Sequence, residues 1–213
     1  MRAVVSSIIP EAEILHALPS VLKPLDELGH FRTGARAAAV VLILYERGGE
    51  LAVPFVIRRP DLPDHPGQVA LPGGTVKPGE AAWEAASREV EEEVGIPAGE
   101  LRALGSGGDV YTSVSNFHVV SFVAHAARPD PELRHDQREL MGILEVPLQR
   151  LLDEQAWREI DAWRGSAFEW EGATIWGLTS RILADLLPRF KEAAAGPAPS
   201  GAPTGPTARP AAG

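Results

Sequence analysis

The sequence predicts an α/β protein, in which helices pack against a β-sheet. Apolar runs rich in β-branched and aliphatic residues alternate with segments whose apolar residues repeat every three to four positions. Continuous apolar runs are typical of strands buried on both faces, and the longer spacing is typical of helices that bury one side. Because strands and helices are interleaved along the chain rather than grouped, we expect a layered α/β domain.

The first predicted strands enclose a glycine turn. Residues 36–46 form a continuous apolar run, and residues 51–58 form the returning strand after the turn at residues 47–50. Pro54 indicates a sheet edge or a bulge at its position, because proline has no N–H for a ladder. Further strands are predicted at residues 68–71, 101–110, 117–126 and 140–146, followed by a hairpin at 168–175 that turns at Glu171–Gly172.

Two substantial helices are predicted. Residues 80–94 carry an alanine and valine stripe that suits packing on a sheet, and residues 178–187 repeat their apolar side chains at helical spacing. Pro188 should end or kink the second helix. Shorter helical pieces are expected at residues 11–28, interrupted by Pro19 and Pro24, and at 147–152.

The chain divides into three parts by composition. Residues 1–34 form an N-terminal lead-in, and residues 35–190 hold the interleaved elements of one domain. Residues 191–213 change to alanine, glycine, proline, serine and threonine, so we predict a disordered tail.

Charge and composition exclude several functional classes. The net charge of −9 gives no general basic field for nucleic acid. The absence of cysteine excludes disulfides, thiolate zinc sites and a cysteine nucleophile. No apolar run reaches the ~18–20 residues of a membrane span, and Glu11 and Glu13 interrupt the apolar start, which argues against a signal peptide. We expect a cytoplasmic protein with neither membrane nor nucleic-acid partners.

The predicted helix at 80–94 carries an acidic face. Glu89, Glu92 and Glu93 stand at i, i+3 and i+4, so their side chains share one side of the helix. Carboxylates held this close repel one another unless a cation lies among them, and oxygen ligands suit Mg²⁺ or Mn²⁺. Arg88 can reach Glu84 and Glu92 at i−4 and i+4. The alternative is a solvated, glutamate-rich helix, as most charge runs are.

The spacing around this helix resembles the Nudix box, G-x5-E-x7-R-E-U-x-E-E-x-G-U, in which U is aliphatic. The matching positions are Gly74, Glu80, Arg88, Glu89, Val90, Glu92, Glu93, Gly95 and Ile96. The resemblance implies an α/β/α sandwich around a mixed β-sheet. It also implies metal-dependent hydrolysis of a nucleoside diphosphate linked to a second group.

The resemblance implies a role for each matching polar residue. Glu89, Glu92 and Glu93 would hold the metal, with the carbonyl of Gly74 as a further ligand. Glu80 and Arg88 would support them, Glu80 at the helix start and Arg88 across the acidic cluster. Either Glu93 or Glu92 would act as the general base.

Residues upstream of the box resemble the segment that marks coenzyme A diphosphatases. Arg58, Gly67, Pro72, Gly73 and Gly74 match that pattern, and His65 and Gln68 lie where such enzymes often carry HxGQ. Arg59, Pro63 and Leu71 depart from it. The run at 173–179, ATIWGLT, resembles the segment that opens the last helix in those enzymes.

The second resemblance implies coenzyme A or acyl-coenzyme A as substrate, cut to 3′,5′-ADP and (acyl-)4′-phosphopantetheine. The expected substrate-binding residues are Arg58, Arg59, His65, Gln68 and Gly73, with the arginines reading the 3′-phosphate. Alternatives are NADH, ADP-ribose or a nucleoside polyphosphate. A non-catalytic binding module of the same fold is a further alternative, although such modules usually lose metal glutamates, and none is lost here.

Several other polar and aromatic residues have more ordinary interpretations. His65 is either a phosphate ligand or an exposed turn residue, and His118 is expected to be a core or sheet-face histidine. Glu139 and Asp136 are expected to be solvated, with metal or base chemistry as the alternative. The late tryptophans indicate core or homodimer packing, with adenine stacking as the alternative; they are Trp157, Trp163, Trp170 and Trp176.

Overall fold

The computed structural model describes residues 11–25, 31–62, 66–161 and 165–195. The helices are α1 (Glu11–Val21), α2 (Ala82–Val94), α3 (Leu148–Leu152) and α4 (Leu178–Ala195). The strands are β1 (Arg36–Arg47), β2 (Glu50–Arg58), β3 (Val69–Ala70), β4 (Gly73–Thr75), β5 (Leu101–Thr112), β6 (Phe117–Ala126), β7 (Leu140–Pro147), β8 (Trp157–Asp161), β9 (Gly165–Trp170) and β10 (Ala173–Ile175).

A seven-stranded mixed sheet forms the centre of the domain. Its strands run in the order β3-β2-β1-β6-β5, while β4 pairs with β1 and β7 pairs with β2. The β1–β6 pair is parallel, and the other pairs are antiparallel. Strands β8, β9 and β10 form a separate antiparallel sheet.

Helices cover both faces of the mixed sheet. On one face the α2 side chains Ala86 and Val90 pack into a buried cluster with Ile43 and Phe122 of the sheet. On the other face the sheet residues share a second buried cluster with α1 and α4. Burial of aliphatic side chains on both sides stabilises the layers by about 25 cal/mol per Å². The predicted α/β/α sandwich around a mixed sheet is therefore confirmed.

The glycines of both predicted hairpin turns adopt positive φ angles. The β1–β2 hairpin turns at Gly48 and Gly49, whose φ angles are 60° and 89°. The β9–β10 hairpin turns at Glu171 and Gly172, with φ angles of 47° and 80°. Positive φ is accessible to glycine at little steric cost, so these two turns could be located from sequence.

Two prolines lie inside helices and do not end them. Helix α1 continues through Pro19 to Val21, and α4 continues through Pro188 to Ala195. In α4, the side chains of Phe190 and Ala193 are buried beyond the proline, so tertiary packing offsets the lost backbone hydrogen bond. The predicted boundary at residue 190 consequently falls inside α4.

Other differences from the predictions are local. Strand β8 was not predicted, because WREID mixes charged and apolar residues, and it forms by pairing with β9. Pro54 pairs with Glu145, whereas the register irregularity between β2 and β7 lies at Ile57/Arg58. Residues 26–28 of the predicted lead-in helix, Pro63, His65, Trp163 and the tail from residue 196 lie outside the described residues. Among the described helices, none has the length and apolar character needed to cross a membrane.

Candidate active site

Helix α2 presents its glutamates beside a glycine loop. At its start, the Ala81 N–H donates to Oε2 of Glu84 at 3.1 Å. At its end, Gly95 adopts a left-handed φ of 75° and its N–H donates to the Glu91 carbonyl. A left-handed glycine is the usual way in which a helix terminates. These two contacts set where α2 begins and ends.

The loop lies against β1 and α2 so closely that side chains do not fit. A Cβ on Gly73, whose φ is 151°, would stand 2.3 Å from the Ala39 carbonyl oxygen. A Cβ on Gly74 would stand 2.5 Å from the carboxyl carbon of Glu89. The Gly73 N–H donates to Oε2 of Glu93 at 2.9 Å. The backbone of Gly73 and Gly74 is thereby in direct contact with two of the predicted metal glutamates.

Glu93 is the buried member of the acidic cluster, with 8% of its surface exposed. Burial raises the pKa of its carboxyl group to about 7, with further increase from the charges of Glu89 and Glu139. The Gly73 N–H and the positive charge of Arg58 act in the opposite direction on this pKa. The charges of Arg58, Glu89 and Glu139 therefore act on Glu93 from three different elements of the chain.

Arg88 organises the other side of the cluster. Its Nε lies 2.9 Å from Oε1 of Glu80, and its Nη1 lies 2.7 Å from Oε1 of Glu89 and 3.5 Å from Oε2 of Glu92. Bonds from Arg88 and from the Lys77 N–H lower the pKa of Glu80 to about 2. The predicted contact of Arg88 with Glu84 is replaced by one with Glu80, because the Glu84 carboxylate accepts from the helix start.

The described residues contain no ready-made group of three carboxylate or imidazole side chains around one point. Glu89 and Glu92 are turned towards Arg88, while Glu93 is turned towards Gly73. The residues nevertheless fit a divalent cation. Glu93 is a buried carboxylate with two further carboxylates close by, and oxygen donors suit Mg²⁺ or Mn²⁺. Glu89, Glu92 and Glu93 are the residues that would hold it.

The predicted substrate residues are divided between two environments. Arg58 follows the bulge between β2 and β7, pairs with Leu140 and donates its N–H to the Gln68 carbonyl at 3.0 Å. A bulge re-aims a strand side chain, and the charge of Arg58 acts on Glu93. Arg59 instead makes two bonds to the Asp61 carboxylate, at 2.7 and 2.8 Å. Gln68 is half-buried beside β3.

The two segments that resemble coenzyme A diphosphatases meet in space. Oγ1 of Thr179, at the start of α4, donates to the Val69 carbonyl in β3 at 3.1 Å, and this contact is buried. Strand β3 leads within three residues to the Gly73–Gly74 loop. The start of α4 therefore supports the strand that carries the site.

The late loop brings one acid to the site and not the other. Glu139 acts electrostatically on Glu93, whereas Asp136 is bound by Arg138, whose Nη2 lies 2.6 Å from its Oδ2. The sequence predicts that both acids are solvated, with metal or base chemistry as the alternative. The sequence signal that could have indicated Glu139 is its position directly before β7, the strand whose Leu140 pairs with Arg58 of β2.

The remaining candidates are structural. His118 is buried, its Nδ1 accepts the Arg32 N–H at 2.7 Å, and its Nε2 contacts Asp109. The indole N–H groups of Trp157 and Trp170 donate to carbonyls of the domain. These contacts support the predicted packing roles of the histidine and of both tryptophans.

Replacing Gly74 by alanine is expected to displace Glu89, because the added Cβ would overlap its carboxylate. We expect at least a tenfold rise in the Mn²⁺ concentration needed for half-maximal rate, at the low end of the cost of disturbing groups around a metal site. Gly99→Ala is the matched control, since nothing lies within 4 Å of a Cβ there. Unchanged metal dependence in Gly74→Ala would show that the loop contact does not set the position of Glu89.

A glutamate-rich helix against a glycine loop, on an α/β/α sandwich, defines a class of hydrolases. The NUDIX domain family model matches residues 35–164. An uncharacterized Nudix hydrolase, NudL, of Yersinia pestis is 34% identical over 162 residues, covering 72% of this chain and 79% of that protein. The chain therefore belongs to the Nudix family and is a Nudix hydrolase. Members of this family generally use divalent metal ions such as Mg²⁺ or Mn²⁺.

Solved structures show the same fold. RenU, a Nudix hydrolase from M. smegmatis, matches with a TM-score of 0.51 at 22% identity, covering 79% of this chain and 91% of that one. The Nudix domain of Shewanella oneidensis NrtR, determined with ADP-ribose, matches with a TM-score of 0.50 at 12% identity, covering 74% and 90%.

Proposed function

We propose that this Nudix hydrolase cleaves the diphosphate of coenzyme A or acyl-coenzyme A, giving 3′,5′-ADP and (acyl-)4′-phosphopantetheine. The observation that carries the proposal is the contact of Thr179 with Val69. It packs the two segments that resemble coenzyme A diphosphatases against each other, next to the glycine loop and Glu93.

The acidic cluster provides the metal-binding residues. Glu89, Glu92 and Glu93 would hold Mg²⁺ or Mn²⁺ together with the Gly74 carbonyl. A bound divalent cation supplies charge neutralisation for the diphosphate oxygens and lowers the pKa of water. Arg88 keeps Glu89 and Glu92 on the same side of α2, and Glu80 orients Arg88 through the bond at 2.9 Å.

The chemical step needs a proton acceptor. Water adds to phosphorus, one phosphoanhydride P–O bond breaks, and the water proton is transferred to a carboxylate. Glu93 suits this role better than Glu92, because Glu93 is buried while the Glu92 side chain is 60% exposed and lies near Arg88. Since Oε2 of Glu93 holds the Gly73 N–H, we assign the proton to Oε1.

Arg58 is the best placed cation for the diphosphate. Its charge acts on Glu93, which supports a role at the diphosphate. We propose a role at the diphosphate for Arg58, and reading of the 3′-phosphate stays the alternative. His65 and Gln68 stay predicted substrate ligands on the segment between Arg58 and the glycine loop.

Arg58→Ala should reduce kcat/KM for coenzyme A and for dephospho-coenzyme A by the same factor. The loss should correspond to about 1.5–3 kcal/mol, the usual worth of a hydrogen bond to a charged group. Steady-state kinetics on both substrates measures the two ratios. A loss of kcat/KM for coenzyme A alone would indicate that Arg58 binds the 3′-phosphate and would contradict its proposed role at the diphosphate.

The substrate is tested with a panel of nucleotides in the presence of Mg²⁺ or Mn²⁺. The panel holds coenzyme A, acyl-coenzyme A, NADH, ADP-ribose and diadenosine polyphosphates, and product masses identify the bond that is cut. Release of 3′,5′-ADP from coenzyme A at the highest kcat/KM would support the proposal. Preferential cleavage of ADP-ribose or NADH would replace coenzyme A by that substrate and leave the diphosphatase assignment in place.

A further inference from the structure

Arg59 connects two segments that flank the site. Its Nε and Nη2 bind the two carboxylate oxygens of Asp61, and its Nη1 donates to the Gln137 carbonyl at 3.1 Å. Its backbone N–H donates to the Glu139 carbonyl at 3.0 Å. The planar guanidinium therefore joins the end of β2 to residues 136–139, which we call the acid loop.

The acid loop ends at Glu139, whose charge acts on the buried Glu93. Within the loop, the Glu139 N–H donates to the Asp136 carbonyl at 3.1 Å and Arg138 binds Asp136. These contacts shape the loop internally but do not attach it to β2. Attachment comes from Arg59 and from the pairing of Arg58 with Leu140.

We propose that Arg59 is a positioning residue, which with Asp61 holds the acid loop, and with it Glu139, against the end of β2. This differs from the expected role of Arg59 as a reader of the 3′-phosphate. A guanidinium already bound by two carboxylate oxygens and a carbonyl has few donors left for a phosphate, since it has five N–H donors in all. The same fork geometry suits a bridge between two chain segments.

Four variants separate positioning from phosphate binding. Arg59→Ala removes the guanidinium bond to the Gln137 carbonyl and leaves the backbone bond to Glu139 in place, and Arg59→Lys keeps the charge but loses the fork. Asp61→Asn removes the negative charge that orients the Arg59 guanidinium, at a residue that would repel phosphate. Arg138→Ala is the matched control, because it removes an ion pair internal to the acid loop.

The rate measurements rest on the proposed hydrolase activity and use the best substrate of the panel. Arg59→Ala, Arg59→Lys and Asp61→Asn should each lower kcat, by about 10- to 100-fold for Arg59→Ala, with little change in KM, as expected when a site residue is displaced by about 1 Å. Arg138→Ala should stay near wild type. A raised KM with unchanged kcat, or full activity of Arg59→Lys, would instead indicate a phosphate ligand and overturn the proposal.

A double-mutant cycle tests whether Arg59 acts through Glu139. In a Glu139→Gln background, Arg59→Ala should lower kcat by less than about twofold, because the carboxylate that it positions is gone. Equal losses from Arg59→Ala in both backgrounds would mean that Arg59 acts independently of Glu139. An unchanged rate in Glu139→Gln would likewise contradict the proposal.

Hydrogen exchange tests the bridge without any substrate. Amides of residues 134–140 should exchange at least tenfold faster in Arg59→Ala, and not in Arg138→Ala, while the thermal midpoint of both stays near wild type. This measurement remains valid if no nucleotide of the panel is cleaved. Failure of the proposed function can therefore be distinguished from failure of the proposed role of Arg59. Unchanged exchange in Arg59→Ala would show that Arg59 does not hold the acid loop.

Discussion

Glu93→Gln is expected to lower kcat by about 10²–10⁴-fold at saturating Mg²⁺, the usual worth of a positioned general base. Glutamine keeps the shape of the side chain and can still accept the Gly73 N–H through its carbonyl oxygen. It neither takes a proton at neutral pH nor contributes a negative charge to a cation. The loss should therefore appear in the chemical step while the fold is retained.

Glu91→Gln is the matched control for this variant. Glu91 lies on the same helix, but its carboxylate accepts the Ala98 N–H at 3.1 Å, away from the glycine loop. Glu91→Gln removes one negative charge, as Glu93→Gln does. It should keep kcat within about twofold of wild type, since surface substitutions away from special contacts have small effects. Near-normal turnover in Glu93→Gln would remove Glu93 from the reaction.

The free energy of unfolding of the metal-free protein should depend on pH through Glu93. Its pKa is about 7 in the folded protein, against 4.5 for an unperturbed glutamate, chiefly because burial disfavours the charged form. A raised folded pKa gives stability that is fully present below pH 4.5 and is lost as pH rises through 7. The predicted loss is about 3 kcal/mol, at 1.36 kcal/mol for each pKa unit.

Glu93→Gln lacks this titration, so its unfolding free energy relative to wild type should rise by about 3 kcal/mol between about pH 4.5 and 8. Urea unfolding with a chelator present, at several pH values, measures the difference directly. Adding Mg²⁺ should narrow the gap above pH 7, because a bound cation stabilises the ionised wild-type carboxylate. A difference that stays constant with pH would show that Glu93 titrates normally.

The acidic helix and its glycine loop could be predicted in detail because their signals are local. The spacing of Glu89, Glu92 and Glu93 fixes a common helix face, and the glycines fix turns where a Cβ has no room. The spacing does not show that Glu93 is buried while Glu92 is exposed. This difference depends on how α2 rotates against the loop, and that is set by packing on β1.

The contacts that complete the site join residues that are far apart in sequence, so they could not be predicted from local patterns. The charge of Arg58 acts on Glu93 from the end of β2, next to the bulge in the β2–β7 ladder. Glu139 acts on Glu93 from the acid loop, which leads directly into β7. The end of α4 is also set by long-range packing. Proline disfavours a helix interior, yet α4 continues beyond Pro188 and buries Phe190.

Uptake of Mn²⁺ by the substrate-free protein tests most directly whether the α2 glutamates form a metal centre. Electron paramagnetic resonance of free Mn²⁺ measures the uptake for wild type, Glu89→Gln, Glu93→Gln and the control Glu91→Gln. Wild type and Glu91→Gln should bind with the same affinity, whereas Glu89→Gln and Glu93→Gln should bind at least tenfold more weakly, as expected when a ligand is lost. Equal Mn²⁺ uptake by all four proteins would place the metal elsewhere and contradict the account.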